Sequence, residues 1–180
     1  MNRLVTFASA VIWIGWTGIA CASILFFDAH AADASTRPLP LGLTERDVSE
    51  NGLIAKFIRP EGNQPLPVML ILGGSEGGVE GARQGGIAFS KAGYATLSVA
   101  YFGANSLPTN LQNVPLEYFS SALEWLKREP SVDARRMGIY GVSKGGEAAL
   151  LVASRHPEIR AVIAGVPSNV VWQGDRKSVV

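Results

Sequence analysis

Apolar runs alternate along this chain with segments whose apolar residues recur at helical spacing. Residues 68–72 are five consecutive apolar residues between a proline and a glycine, which is typical of a strand covered on both faces of a sheet. Residues 94–100, 138–142 and 160–166 predict further buried strands. Residues 51–59 alternate more between apolar and polar positions, which predicts an edge strand that ends at the following proline.

Three segments between these strands have helical character. Residues 82–93 predict a helix that ends at its last residue, a glycine, and residues 144–155 predict another. The third lies between Pro115, which suits the first helical position, and Pro130. Its apolar stripe at i, i+3, i+4 and i+7 consists of Phe119, Ala122, Leu123 and Leu126. Strands that alternate with helices in this way predict an α/β fold with a mainly parallel, doubly wound sheet.

The beginning of the chain has a different character. Residues 4–27 carry no charge, and at about 1.5 Å per residue they are long enough to cross a bilayer core of about 30 Å. Residues 29–31 (Ala-His-Ala) then give the small-x-small pattern that signal peptidase prefers. We interpret residues 1–31 as a signal peptide or an N-terminal membrane anchor, so the domain is expected to be exported, periplasmic or secreted. Residues 32–51 predict a linker, and residues 52–180 the folded domain.

Composition and charge exclude several classes of protein. The chain is 47% hydrophobic and 17% charged, and its formal net charge of +1 is spread without a basic cluster, so nucleic acid is not an expected partner. The single cysteine, Cys21, lies within the apolar N-terminal run, so no disulfide framework is expected in the domain. With two histidines and no HExxH pattern, neither a metal site nor a cofactor is predicted.

The candidate chemistry centres on the sequence GVSKG, residues 141–145. A predicted strand is followed by a helix from Lys144 with no loop between them, so Ser143 stands at a sharp turn with strained backbone geometry. Gly141 and Gly145 lack the Cβ atoms that would clash there. The Ser143 hydroxyl is then placed before a helix N-terminus, whose free N–H groups favour developing negative charge. The pattern predicts a nucleophilic serine; the alternative is a glycine-rich helix start in which Ser143 is only an N-cap.

A glycine-rich loop, residues 73–78 (GGSEGG), follows the first buried strand. Such loops hold phosphates or direct N–H groups toward an oxyanion, and here the P-loop lysine and the G-x-G-x-x-G spacing are both missing. We therefore predict that Gly74 or Ser75 supplies one oxyanion donor and the N–H of Lys144 the second. A loop that is merely rich in glycine is the alternative. The side chains of Lys144 and Glu147 are interpreted as solvated helix residues rather than catalytic groups.

Two aromatic residues, Tyr101 and Phe102, follow the strand at residues 94–100. They stand at the carboxyl end of that strand, the side on which open α/β sheets bind ligands. The sequence leaves two interpretations open, the lining of an acyl pocket and packing in the core.

A nucleophilic serine needs a base and an acid that orients it. In hydrolases with this turn, the acid and then a histidine follow the serine along the chain. The only histidine after Ser143 is His156, which the helical rise places roughly 20 Å away, and Asp175 precedes no histidine. His156 is instead interpreted as a residue at the helix C-terminus. We therefore expect a domain truncated after the strand that follows the nucleophile helix, and a natural pseudoenzyme is the alternative.

Five blocks of sequence resemble, in the same order, the C-terminal catalytic domain of acyl-CoA thioesterases and of bile acid-CoA:amino acid N-acyltransferase. They are LGGSEGG (72–78), AYFG (100–103), PLEYF (115–119), GVSKGGEAALLVAS (141–154) and VPSNVVWQG (166–174). The resemblance implies an α/β-hydrolase fold and cleavage of a thioester through an acyl-serine. Ser143 stands where the thioesterases carry serine and the acyltransferase carries cysteine, so hydrolysis is the expected chemistry.

The expected partner is a small-molecule acyl thioester or ester, and membrane contact is expected only through an uncleaved leader. Because export is expected, an ester is an alternative substrate to an acyl-CoA. Two further alternatives stay open: an esterase or peptidase similar to dienelactone hydrolase, and a non-catalytic exported binding protein on a hydrolase scaffold.

Overall fold

The computed structural model describes residues 37–168 of the chain. The chain divides into two units, Met1–Ala31 and Ala32–Val180, and all described residues belong to the second. The predicted leader, with its apolar run at residues 4–27, and the last residues from 169 onward lie outside the described residues. Within the described range, no helix combines the length and apolar character needed to span a membrane.

The described elements alternate between strands and helices after an initial pair of strands. In chain order they are β1 (Leu43–Glu50), β2 (Leu53–Pro60), β3 (Leu66–Leu72), α1 (Glu80–Lys91), β4 (Ala95–Ala100), α2 (Leu116–Arg128), β5 (Val132–Val142), α3 (Lys144–Arg155) and β6 (Ile159–Gly165). Pro115 takes the N-cap position of α2 with an extended ψ of 134°, one residue before the predicted place.

The six strands form one sheet in the order β1-β2-β4-β3-β5-β6. Strand β3 pairs in parallel with β4 and β5, and β5 pairs in parallel with β6, while β1 and β2 are added to β4 as an antiparallel pair. The predicted mainly parallel sheet is therefore confirmed.

One prediction about the edge of the sheet is wrong. Strand β2 pairs on both sides and is not an edge strand, because Leu43–Glu50 forms β1 outside it. This part of the segment predicted as a linker, residues 32–51, thus belongs to the sheet. Among the eight residues of β1 only Val48 is buried, so the hydrophobic pattern that marks an inner strand is missing there.

Helices cover both faces of the sheet, as a doubly wound fold requires. Alternate residues of β3 point to opposite faces: Leu70 packs in a core with residues of α2 and α3, while Met69 and Ile71 pack with Ala82 of α1. The carboxyl ends of β3, β4, β5 and β6 meet at one edge of the sheet, because these four strands are parallel. That edge carries every residue predicted to act in catalysis.

Candidate active site

Ser143 is the single residue between β5 and α3, and its backbone is strained. Its φ of 52° and ψ of −119° lie in a region that L-residues rarely adopt. The Ser143 N–H donates to the carbonyl oxygen of Gly165 at 2.8 Å, and its own carbonyl accepts from the N–H groups of Gly146 and Glu147 at 2.9 and 3.2 Å. The side chain is exposed and makes no capping hydrogen bond to α3, so its hydroxyl is not used as an N-cap.

The glycines on either side of Ser143 allow the backbone to pack closely. A Cβ atom on Gly141 would lie 2.0 Å from the carbonyl oxygen of Gly145, and one on Gly145 would lie 2.1 Å from the carbonyl oxygen of Gly73. Both distances are to backbone atoms, which cannot move aside. Helix α3 therefore approaches the end of β3 more closely than any side chain would permit.

The glycine-rich loop lies beside Ser143, as predicted for an oxyanion loop. A Cβ atom on Gly74 would be 3.5 Å from the Cβ of Ser143. The N–H of Gly74, however, donates to the Glu76 Oε1 atom at 2.9 Å, so this donor is already occupied. Ser75 is exposed, and its N–H has no partner among residues 37–168. The N–H of Lys144, in the first turn of α3, has no acceptor within the helix.

Tyr101 holds the glycine-rich loop from the inside. Its hydroxyl donates to the carbonyl oxygen of Gly73 at 2.7 Å and lies 3.3 Å from that of Gly74. Burial, and then the negative charges of Glu76 and Glu147, raise the pKa of the Tyr101 hydroxyl above its ordinary value, so it stays a donor.

Of the two interpretations left open for the aromatic pair, the structure favours packing in the core. Tyr101 is 3% exposed and Phe102 is 7% exposed. The Phe102 ring fills the space beside Gly77, where a Cβ atom would lie 2.9 Å from a ring carbon. Both side chains thus support the loop from below and do not line an open pocket.

The interpretation of Lys144 and Glu147 as solvated residues is wrong. Glu147 is only 6% exposed, and both of its carboxylate oxygens lie 3.2 Å from the Lys144 Nζ atom. The Lys144 side chain is 14% exposed, so the pair is largely shielded from solvent and the two charges compensate each other. An acidic residue in the first turn also interacts favourably with the helix dipole.

His156 is the only histidine among residues 37–168, and it does not reach Ser143. It forms the C-cap of the 12-residue helix α3, which spans about 18 Å from the Ser143 end. Its ring contacts Ser120 and Glu158 instead. Within the same range no group of three or more His, Cys, Asp or Glu side chains is arranged to hold a metal ion.

Sequence analysis does not identify three polar groups of this site: the Glu76 carboxylate, the Tyr101 hydroxyl and the Glu147 carboxylate. A signal existed for Glu147, since an acid four residues after the serine falls on the first turn of the helix and faces the sheet. The sequence contains no such signal for Glu76 and Tyr101, because their contacts depend on how the glycine-rich loop folds over the strand ends.

Comparison with known proteins finds similarity to acyl-CoA thioesterases and N-acyltransferases. The family described as BAAT / Acyl-CoA thioester hydrolase C terminal matches residues 114–178. The chain is 34% identical over 132 residues to bile acid-CoA:amino acid N-acyltransferase of Mus musculus, covering 73% of this chain and 31% of that protein. It is 32% identical over 134 residues to acyl-coenzyme A thioesterase 1 of Homo sapiens, again covering 73% and 31%.

Among solved structures, that of esterase Est22 is similar, with a TM-score of 0.62 and 23% identity over 75% of this chain and 48% of the other. The chain spans about a third of the length of the curated relatives it matches. These matches confirm the resemblance inferred from the five sequence blocks: the chain is similar to the BAAT / acyl-CoA thioester hydrolase C-terminal family and has an α/β-hydrolase fold.

Proposed function

We propose that the protein is a serine hydrolase that cleaves acyl thioesters or esters through an acyl-serine intermediate on Ser143. The observation that carries the proposal is the strained backbone of Ser143, whose exposed hydroxyl stands before the N-terminus of α3. A serine held in this way between a strand and a helix is typical of a nucleophile elbow. The relatives named as acyl-CoA thioesterases support an acyl thioester as the substrate class. The proposed reaction needs no cofactor.

In the proposed reaction the Ser143 Oγ attacks the acyl carbonyl, and the thiol or alcohol leaves with a proton. The N–H groups of Lys144 and Ser75 hold the oxyanion, and such donors contribute about 3 to 4 kcal/mol each in the transition state. The N–H of Gly74 becomes a third donor only when the Glu76 carboxylate moves away from it. Water then releases the acyl group from Ser143.

We place the base and its acid outside residues 37–168. His156, the histidine within that range, is bonded to Ser120 and Glu158 at the far end of α3. The same observation favours the second candidate, a non-catalytic binding protein on this scaffold.

The test is hydrolysis of p-nitrophenyl esters and acyl-CoA by the purified protein. Ser143→Ala is expected to lower kcat/KM by several orders of magnitude, because a true nucleophile is lost. Ser154→Ala is the matched control, since this serine lies exposed near the other end of α3.

Equal rates for wild type and Ser143→Ala would refute the hydrolase proposal. A fluorophosphonate adduct on the Ser143 peptide, mapped by mass spectrometry, would instead count against the binding-protein candidate.

We also propose that residues 1–31 direct export, on the basis of their apolar run and the cleavage pattern at residues 29–31. Fractionation and N-terminal sequencing of the mature protein test this. A chain that starts at Met1 in the cytoplasmic fraction would contradict it.

A further inference from the structure

A second serine has the base that Ser143 lacks among the described residues. The Ser120 Oγ lies 3.0 Å from the His156 Nε2, and the His156 Nδ1 lies 3.3 Å from the Glu158 Oε1. Ser120 is on α2, whereas His156 and Glu158 lie in the turn between α3 and β6, so the fold brings two separate segments together. Lys127 adds a fourth group, with its Nζ 2.9 Å from the same Glu158 oxygen.

The order of these contacts fixes the direction of proton transfer. Lys127, through its hydrogen bond, lowers the pKa of Glu158 to about 2, so the carboxylate is ionised and accepts only. The proton of a neutral His156 ring therefore lies on Nδ1, facing Glu158. The Nε2 atom, 3.0 Å from the Ser120 Oγ, is then the nearer acceptor of the hydroxyl proton, and the Leu116 carbonyl oxygen lies 3.5 Å from the same Oγ. A hydroxyl next to a base that is oriented by an acid is the arrangement that activates a nucleophilic serine.

Ser120 also borders an open cavity at the surface. A surface cavity of about 270 Å³ lies between α2 and the turn from β1 to β2, with Ser120 in its wall. Leu53 and Trp125 give it an apolar side. Its charged lining residues are Glu50, Glu124 and Arg128, and the Arg128 Nη2 lies 3.0 Å from the Glu50 Oε1. The neighbouring Ser121 lines the same cavity, but its hydroxyl donates to the Glu117 carbonyl oxygen and has no histidine beside it.

The surroundings also limit what Ser120 can do. It lies within α2, where backbone N–H groups are engaged in helical hydrogen bonds, so they do not form an oxyanion site. Without that stabilisation, only esters with a good leaving group react at a useful rate.

We propose that Ser120 is a second nucleophile, activated by His156 and Glu158, that accepts acyl groups from small activated esters. In this step the Ser120 Oγ forms a bond to the acyl carbon while the bond to the leaving oxygen breaks. The hydroxyl proton passes to His156 Nε2 and from there to the leaving group. Hydrolysis of acyl-Ser120 follows when His156 takes a proton from water and returns it to Oγ. The site is separate from Ser143 and does not depend on the function proposed for it.

The test treats the full chain carrying Ser143→Ala with a fluorophosphonate or p-nitrophenyl acetate and maps the adducts by mass spectrometry. An adduct is expected on the Ser120 peptide, and Ser120→Ala is expected to remove it. His156→Gln is expected to slow its formation at least about 100-fold, the usual contribution of a general base. Ser154→Ala, at an exposed position of α3 outside this cavity, is the matched control and is expected to leave the rate unchanged.

Chemical rescue distinguishes a role of His156 as general base from a purely structural role. Added imidazole is expected to restore labelling of Ser120 in a folded His156→Ala chain, with folding checked by circular dichroism. Absence of an adduct on Ser120, an equal rate in His156→Gln, or failure of imidazole to restore labelling would each overturn the proposal.

Discussion

Tyr101 shows how one buried hydroxyl controls the shape of the glycine-rich loop. The loop has few side chains of its own to hold it, and the Tyr101 hydroxyl is bonded to the carbonyl oxygens of Gly73 and Gly74. These carbonyls precede the proposed oxyanion donors, so the direction of the donors depends on this contact. The Tyr101 hydroxyl is therefore a positioning group for the proposed site.

Tyr101→Phe is expected to lower the free energy of unfolding by about 1 to 3 kcal/mol, because it leaves a buried carbonyl without its donor. Urea unfolding measures the change. Tyr94→Phe is the matched control, since the Tyr94 ring packs edge-on against Phe89 and no hydrogen bond of its hydroxyl is found in the described part of the chain. A loss no larger than that of the control would contradict the role of Tyr101.

Single residues differ in how far the sequence predicts them. The position of Ser143 follows from local chain geometry, since a strand, one residue and a helix leave only one shape for the turn. The contact between Glu76 and Gly74 and the burial of Glu147 depend on how separate elements pack. Local pattern carries no information about such contacts, and the sequence interpretation of Glu147 fails for that reason.

At the scale of elements, an ion pair joins α2 to the turn that follows α3. Lys127 of α2 bonds Glu158 and lowers the pKa of this carboxyl to about 2 from its ordinary value of 4.5. Because the pKa is lower in the folded state, the pair stabilises the fold above the unfolded pKa. This stability is lost as the pH falls from about 4.5 to about 2.

Lys127→Met is expected to raise the pKa of Glu158 toward its ordinary value and to remove this acid-sensitive stability. The difference in unfolding free energy between wild type and variant should be present at pH 6 and shrink toward pH 2. Urea unfolding across this range and NMR titration of Glu158 measure both effects. Lys91→Met, at the exposed end of α1, is the control. A difference that does not vary with pH would refute the linkage.

The elements themselves were predictable where their burial is uniform. Strands β3 and β4 and helix α3 appear at the predicted places, because their apolar patterns reflect burial on one or both sides. Strand β5 begins at Val132, six residues before the predicted start, because charged residues such as Arg135 and Arg136 occupy its exposed first half. Strand β1 was missed for the same reason. Exposed, polar strand segments lack the apolar pattern that predicts a strand, so sequence analysis assigns them to loops.

For the whole molecule, the two outer strands of the described sheet differ in character. Strand β1 carries charged side chains such as Arg46 and Asp47, which disfavour pairing with another chain. Strand β6 instead exposes Val162 and Ile163, at 40% and 45%. The parallel half of the sheet, which carries the site, thus ends in an apolar strand, and the antiparallel half ends in a polar one.

The strained turn at Ser143 is maintained by the stability of the rest of the fold. A serine at φ 52° and ψ −119° costs of order 1 to 3 kcal/mol, whereas glycine accepts such angles and loses about 0.5 to 1 kcal/mol in chain entropy. The free energy of unfolding measured in urea is therefore expected to be about 1 kcal/mol higher for Ser143→Gly than for Ser143→Ala. Equal free energies of unfolding would mean that the turn stores no strain. In related proteins that no longer need hydrolysis, selection for a higher free energy of unfolding would favour glycine at the position of Ser143. A glycine there would then indicate that the catalytic function has been lost.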